Sequence, residues 1–582
     1  MVTGVPRRGA AVHVVTTKRR YKGKLYQTHL LRRSYRDGGK VKNETLGNLS
    51  HLPEAVIDLI RRALKGEALV PAEERFEVVR SVHHGHVRAV LSALRRLGLE
   101  RLLAARPCRE RDLVVAMLVA RLLEPCSKLA TTRWWHVTTL PAQLGVEDAT
   151  EDELYAAMDW LLERQLAVEK KLAARHLAEG GLALFDLTSS YFEGTCCPLA
   201  ARGHNRDGKR NKLQVNYGLL TDRAGRPISV SVFSGNTGDP KTLVPEVEKI
   251  RQRFGIESFV MVGDRGMIAQ KQIDALRERP GMEWITALRS DAIRELVEGG
   301  QLQLGLFDER NLFELRHPDY PGERLVACRN PELAKLRAHK RQSLLEATTK
   351  ELETVRGMVT RGRLRGAGTI GVRVGRVVNK YKVAKHFALD IREDGFDYRL
   401  REDPVAAEAA LDGIYVVRTS LPEERLDAAD TVRSYKRLSD VERAFRSLKT
   451  VDLEVRPIRH WSENRVRAHI FLCTLAYYVE WHMIEAWRPL LFADEDQEAK
   501  ATRDPVAPAQ RSRKALQKVH TKRLEDGSLV HSFHTLLKNL AGIVQNLCRV
   551  PGNGKDAASF TLTTQPTPEQ ERALSLLATI AV

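Results

Sequence analysis

Long apolar runs are missing from this sequence: nowhere does it approach the roughly 18 consecutive apolar residues of a membrane-spanning helix. The opening stretch MVTGVPRRGAAVHVVTT is likewise too short and too interrupted for a signal peptide. Both absences predict an intracellular protein with no membrane partner. Cysteine is scarce, with seven among 582 residues and no C-x-x-C pair, which excludes a disulfide framework and a thiolate zinc site. Cys196 and Cys197 stand near His204, and they read as loop cysteines rather than metal ligands. With no internal repeat and no low-complexity tract, neither a solenoid nor a disordered scaffold is indicated. What remains is a globular chain, 43% hydrophobic, long enough for three or four domains at about 150 residues each.

Acids are also in short supply, and unevenly so. Lys and Arg number 94 against 74 Asp and Glu, a net charge of +20 that points to a polyanionic partner, nucleic acid before membrane. Residues 1–50 hold 12 Lys and Arg against Asp37 and Glu44, half of the net excess. Within them KLYQTHLLRRSYRDGGKVKNETLGNL reads as two short strands around Asp37-Gly38-Gly39. Basic side chains and tyrosines on that hairpin either track a phosphate backbone or form a solvated arm. A second acid-free stretch, Thr354 to Leu389, holds nine Lys or Arg, including Arg373, Arg376, Lys380 and Lys382, and GVRVGRVVNKYKVAKHFALDI within it reads as strand-rich. It is a candidate nucleic-acid surface.

From Val87 to about Leu177 apolar residues recur at helical spacing, with Trp134, Trp135 and Trp160 read as core. After Gly180 the period becomes extended. LALFDLTSSYF and LQVNYGLLTDRAGRPISVSVFSG predict three strands, the last two a hairpin about Asp222 to Gly225. A helix, the strand SFVMVGDRGM, a further helix and the strand MEWITALR follow. This order resembles the ribonuclease-H-like fold, in which one carboxylate stands on the first strand and a second ends the fourth. Asp186 and Asp264 take those places. Ordinary readings stay open for both, a cap on a turn at Thr188-Ser189 for Asp186 and an Asp-Arg-Gly turn for Asp264.

A third acid comes from YKRLSDVERAFRSLKT, Tyr435 to Thr450. Ser439 and Glu442 have the spacing of a capping box, and Arg446 lies four residues beyond Glu442, so a cap with an ion pair would account for this acid without chemistry. Against that, Tyr435, Glu442 and Lys449 fit the Y-x2-R-x3-E-x6-K signature, and the chain resembles the bacterial insertion-sequence transposases of the DDE type. Leu438 stands at the arginine position, with Arg437 beside it. LFDLTSSYFEG, GDRGM, KYKVAKHF and VERAFRSLK are similar to segments of the same family, so the resemblance extends over most of the chain.

The resemblance implies Asp186, Asp264 and Glu442 as ligands of two Mg²⁺ ions, Mn²⁺ substituting, used first for water attack at a transposon end and then for attack of the freed 3′-hydroxyl on target DNA. Lys449 and Tyr435 would hold DNA phosphates, with Arg437 and Arg446 among the basic residues that surround them. The partners it implies are double-stranded DNA, as terminal inverted repeats and target, and a second copy of the chain in a homodimer on that DNA. The place it implies is the bacterial cytoplasm, at the nucleoid. Alternatives are an endonuclease that cuts without joining, an inactive DNA-binding relative, and, less well matched, a covalent aspartyl phosphotransferase.

Between Asp264 and Glu442 lie 177 residues, which implies an insertion domain. The expected fold class is α/β, a ribonuclease-H-like core with a strand-rich insertion. The expected division is a basic DNA-contacting segment over 1–80, a helical domain over 81–178, the first part of the core over 179–290, the insertion over 291–425, and over 426–582 the rest of the core with the Glu442 helix and C-terminal helices. In the insertion, Asn330 and Pro331 begin a helix, and LDGIYVVRTS is the last strand before Glu442. RPIRHWSENRVRAHIFLCTLAYYVEWHMIEAW reads as a basic approach to a buried helix, and Glu525–Ser528 and Pro551–Lys555 as loops.

Overall fold

A computed structural model describes residues 11–67, 76–209, 211–303, 307–308, 310–508, 510–550 and 559–581. Pro551–Lys555 lies outside them. The described residues fall into two compact units, one within Met1–Ser81 and Asn546–Thr563, the other within Val82–Gln545 and Thr564–Val582.

The first unit is built on an antiparallel sheet of Ala11–Tyr21, Lys24–Asp37 and Lys40–Asn48. The hairpin at Asp37 forms as its Gly-Gly pair predicts, and a further strand precedes it. Lys22 and Gly23, at φ 46° and 77°, make the two-residue turn whose twist suits a hairpin. Lys18, Arg19, Arg20, Tyr21 and Tyr26 are exposed around that tip. The helix Glu54–Leu64 packs on the first strand and buries Ile57. Phe76 and Phe560 meet edge to face, centroids 5.7 Å apart.

The second unit centres on an eight-stranded mixed sheet. Its strands, in chain order, are β1 (Gly181–Tyr191), β2 (Gln214–Asp222), β3 (Pro227–Ser234), β4 (Phe259–Val262), β5 (Met282–Ala287), β6 (Leu312–Leu315), β7 (Arg324–Arg329) and β8 (Ile414–Thr419). Spatially they run β6-β7-β8-β5-β4-β1-β2-β3. β4 pairs parallel to β1 and to β5, and the remaining pairs are antiparallel. The crossovers predicted from the sequence, strand hairpin first and helices between the later strands, are those found.

Helices surround this sheet. α1 (Arg109–Leu123) and α2 (Lys128–Trp134) belong to the helical segment, with Trp135 fully buried and Trp134 and Trp160 packed against the same core. α7 (Glu463–Trp487) is apolar nearly all round and correspondingly buried. Ser462 caps it by accepting from the Arg465 N–H at 3.3 Å. Among the described residues no helix is long and apolar enough to cross a membrane.

The segment 291–425 divides in two. β6, β7 and β8 extend the central sheet, whereas α3 (Pro331–Thr360) and α4 (Ala367–Tyr381) pack on a two-stranded hairpin, Phe387–Ile391 and Phe396–Leu400, around a small core of their own. The strand-rich expectation for this insertion is therefore corrected: Gly371–Tyr381 is helix. β-Branched valines favour strands locally, but Ile370, Val374, Val377 and Val378 recur at the helical period and are the buried ones. The helix places Arg373, Arg376 and Lys380 on one exposed stripe, with Lys382 exposed in the left-handed residue that ends it.

Candidate active site

Asp186 lies midway along β1, in a strand that continues straight to Tyr191, so no turn at Thr188-Ser189 exists for it to cap. Its carboxylate is half-buried and accepts one backbone hydrogen bond, from the Leu187 N–H at 2.8 Å. Opposite Leu187, Gly218 of β2 leaves room for the Phe185 ring, which would stand 2.4 Å from a Cβ there. Burial pushes the Asp186 carboxyl up to about 7, and the charges of Asp264 and Glu442 push the same way, against the pull of Arg206. Two other elements thus bring acids near enough to act on Asp186.

Asp264 follows β4 by two residues, where the parallel pairing of β4 with β1 brings the chain level with Asp186. It is exposed. Its carboxylate accepts from the Gly266 N–H at 3.3 Å, so the Asp-Arg-Gly turn is real and leaves the other oxygen outward. That oxygen accepts from the Tyr435 hydroxyl at 3.4 Å. Tyr435, in α5 (Ala428–Lys436), is placed against the second acid, and burial with that carboxylate raises its phenol.

Glu442 is exposed on α6 (Leu438–Arg446), a helix packed on β1 whose Phe445 meets Tyr217 of β2 edge to face at 5.9 Å. The capping box is absent: α6 starts at Leu438, one residue ahead of Ser439, with Arg437 as its uncapped N-terminal residue. The ion pair with Arg446 is absent too: Arg446 is exposed, and it is Arg443 that pairs within this helix, with Asp440 at 3.2 Å. With Leu438 packed into the core, Arg437 is left facing a cleft of about 550 Å³ that Arg223, Arg226 and Arg425 also line. There it donates to the Arg223 carbonyl at 3.0 Å.

Lys449 lies beyond the end of α6, in the wider π-type turn Ser447–Val451, so the simple seven-residue helical step from Glu442 does not describe its position. It is buried, and its ammonium donates to Asp207 at 2.9 Å. Arg456 reaches the same carboxylate oxygen at 2.5 Å, and the Tyr191 N–H donates to the other at 2.9 Å. Asp207 and Arg206 were not anticipated. Both come from the loop between β1 and β2, whose sequence RGHNRDGKRNK is longer than a hairpin needs, and Arg206 is anchored to Asp239 at 2.5 Å. Arg373, Arg376, Lys380 and Lys382 lie on the insertion, where Lys380 pairs with Glu351.

All three acids offer oxygen ligands, the donor set that suits hard divalent cations. Among the described residues no three His, Cys, Asp or Glu side chains stand close enough together to hold a metal ion. Repulsion between like charges favours Asp264 and Glu442 turned outward into solvent, and both are exposed.

Residues 182–479, just over half of the chain, match the transposase DDE domain, and the chain belongs to that family: it is a DNA transposase. Residues 14–74 match the N-terminal domain of the IS1634 family of transposases, which makes it one of the insertion-sequence type. No curated protein matches it. Among solved structures, the piggyBac transposase synaptic complex with hairpin DNA is similar at a TM-score of 0.34 and 9% identity, over 78% of this chain and 76% of that one.

Proposed function

We propose that Asp186, Asp264 and Glu442 are the metal ligands of this transposase, that Mg²⁺ is their natural ion, and that the core is ribonuclease-H-like. The supporting observation is that the register of β4 on β1 brings Asp264 level with Asp186 while α6, which bears Glu442, packs on β1, in the strand and helix order that the family match covers. Two divalent ions bound there would supply Lewis acidity to the attacking and leaving oxygens of an in-line displacement. Tyr435 orients Asp264 through its hydroxyl. Arg206 offsets part of the negative charge of the carboxylates. Asp207, held by Lys449 and Arg456, fixes the loop that carries Arg206 beside β1. Lys449 is available to a DNA phosphate only if Asp207 shares it.

The substrates in this reading are the terminal inverted repeats of the element and target DNA, bound by a homodimer. The test is incubation of the protein with supercoiled DNA carrying the sequences that flank its gene. Cut ends joined to new sites support the reading, and cutting without joining defines an endonuclease instead. The division into a DNA-contacting segment, a helical domain, a two-part core and an insertion is part of the same proposal.

The exposed basic tip of the first unit motivates a further expectation. Changing Lys18, Arg19 and Arg20 to Ala should weaken DNA binding and flatten the plot of log K against log salt by about 0.9 for each phosphate no longer neutralised. An unchanged slope would make the tip a solvated arm. The insertion is tested by reversing charge at Arg373 and Arg376, which lie on the exposed stripe of α4. Thermal stability should hold, since exposed substitutions shift it by about ±0.5 kcal/mol, while DNA cleavage should fall at physiological salt and partly recover at low salt. Cleavage equal to wild type at physiological salt would take the DNA path off this face.

A further inference from the structure

A second cluster of charge lies within the same unit, away from the acids. Arg121 lies in the last turn of α1, Lys128 begins α2, His469 sits on α7, and His460 lies in the segment that leads into α7. Lys128 is 4% exposed and Arg121 7%. Arg121 donates to the Cys126 carbonyl at 3.2 Å. Among the described residues Lys128 has neither a hydrogen bond nor an ion pair, and Arg121, His460, His469 and the thiols of Cys126 and Cys473 are among the groups near it. The groups acting on His460 are Lys128, Arg121 and Arg465. No carboxylate is among either set. Asp159 is 4.0 Å from Arg465.

Isolated cations are not buried without compensation, because desolvating each costs several kcal/mol. Here burial and the Arg121 charge hold the Lys128 ammonium down to about 7. His469 adds a second mark. Its Nε2–H donates to the Val455 carbonyl at 3.1 Å, and its Nδ1 is buried with no partner. The His460 and His469 rings stand 4.9 Å apart. Three secondary-structure elements and a connecting segment thus direct cationic or proton-binding groups at one another, and a polyoxyanion would compensate all of them at once.

A short segment joins the cluster to the carboxylate site. Residues 456–461 connect the two: Arg456 binds Asp207, Ile458 pairs with the end of β1 at Phe192, and His460 follows two residues later. Arg456 and His460 are four residues apart, so their backbones are separated by at most about 14 Å. Arg459 and Trp461, the latter 69% exposed, mark the surface beside His460.

We propose that Arg121, Lys128, His460 and His469 form a second anion site that takes a phosphate group, supplied by the DNA strand that runs on from the carboxylate site. The choice of DNA as the source rests on the proposed function, whereas the phosphate chemistry does not. The probe variant is Lys128→Met, which keeps the length and removes the charge.

Inorganic phosphate, compared with chloride at equal ionic strength, is expected to raise the melting temperature of the wild type and not of the variant. Binding of the variant to duplex DNA should show a shallower salt slope, by about 0.9. Its melting temperature in chloride should equal or exceed that of the wild type, because no buried charge is left to compensate. Phosphate protection lost with the DNA slope unchanged would overturn DNA as the source and leave a free-phosphate site. Equal phosphate protection in both proteins would overturn the site itself. A wild type that bound no DNA would count against the proposed function, and the phosphate comparison would still decide this site.

Discussion

Asp186→Asn, Asp264→Asn and Glu442→Gln are each expected to abolish end cleavage and strand transfer while leaving DNA binding within a few-fold of wild type. Losing one ligand of a two-metal site removes several kcal/mol of charge stabilisation, so activity should fall at least roughly a thousandfold. Glu442→Gln is the sharpest of the three, because no capping box depends on that residue. A Glu442→Gln protein that still cleaved would remove Glu442 from the chemistry. The Asp186 change carries a second signature. Its carboxyl is raised from 3.8 to about 7, so between those values the unfolded chain is ionised while the folded one stays protonated. Stability of the metal-free protein therefore falls as pH rises through this window, and above it the full cost is present. Asp186→Asn should remove that cost, raising the melting temperature at pH 8 and not at pH 3, whereas a residue held for stability would lower both. A melting temperature lowered at pH 8 would contradict the placement of Asp186 in a charge-starved site.

Chelation should be as severe as mutation. Excess EDTA is expected to stop cleavage and joining completely, and Mg²⁺ or Mn²⁺ to restore them. Ca²⁺, larger and looser in its coordination, should permit DNA binding with little chemistry. The same ions should raise the melting temperature of the wild type and much less that of Asp186→Asn, because the countercharge that relieves the buried carboxyl is then unnecessary. Cleavage that persisted in EDTA would end the two-metal reading.

The strands of the central sheet were legible in the sequence because each is a short apolar run closed by turn residues, as Asp222 to Gly225 closes the β2–β3 hairpin. Asp186 was legible for a similar reason, as the one charge in such a run. The helix Ala367–Tyr381 was not, since valine and glycine composition outweighed a spacing that only the buried Ile370, Val374 and Val377 make plain. Lys449 was recognisable as a motif position, but its partner was not: Asp207 is 242 residues away in a loop whose course only tertiary packing decides. The Lys128 cluster was hidden similarly, its members being scattered from Arg121 to His469.

The insertion leaves and rejoins the sheet at one point. Arg329 of β7 and Ile414 of β8 are paired neighbours, the Asn330 N–H donates to the Gly413 carbonyl at 2.9 Å, and a Cβ on Gly413 would stand 2.3 Å from the Asn330 carbonyl oxygen. Everything between is a pendant hung from a hairpin that is already closed. Such a graft point lets lineages exchange, enlarge or discard the pendant without shifting the strands beside it, because loop length adds only slowly to the entropy of closure. A change in the length or composition of the pendant can then be absorbed at one address, while the strands that carry Asp186 and lead to Asp264 keep their pairing.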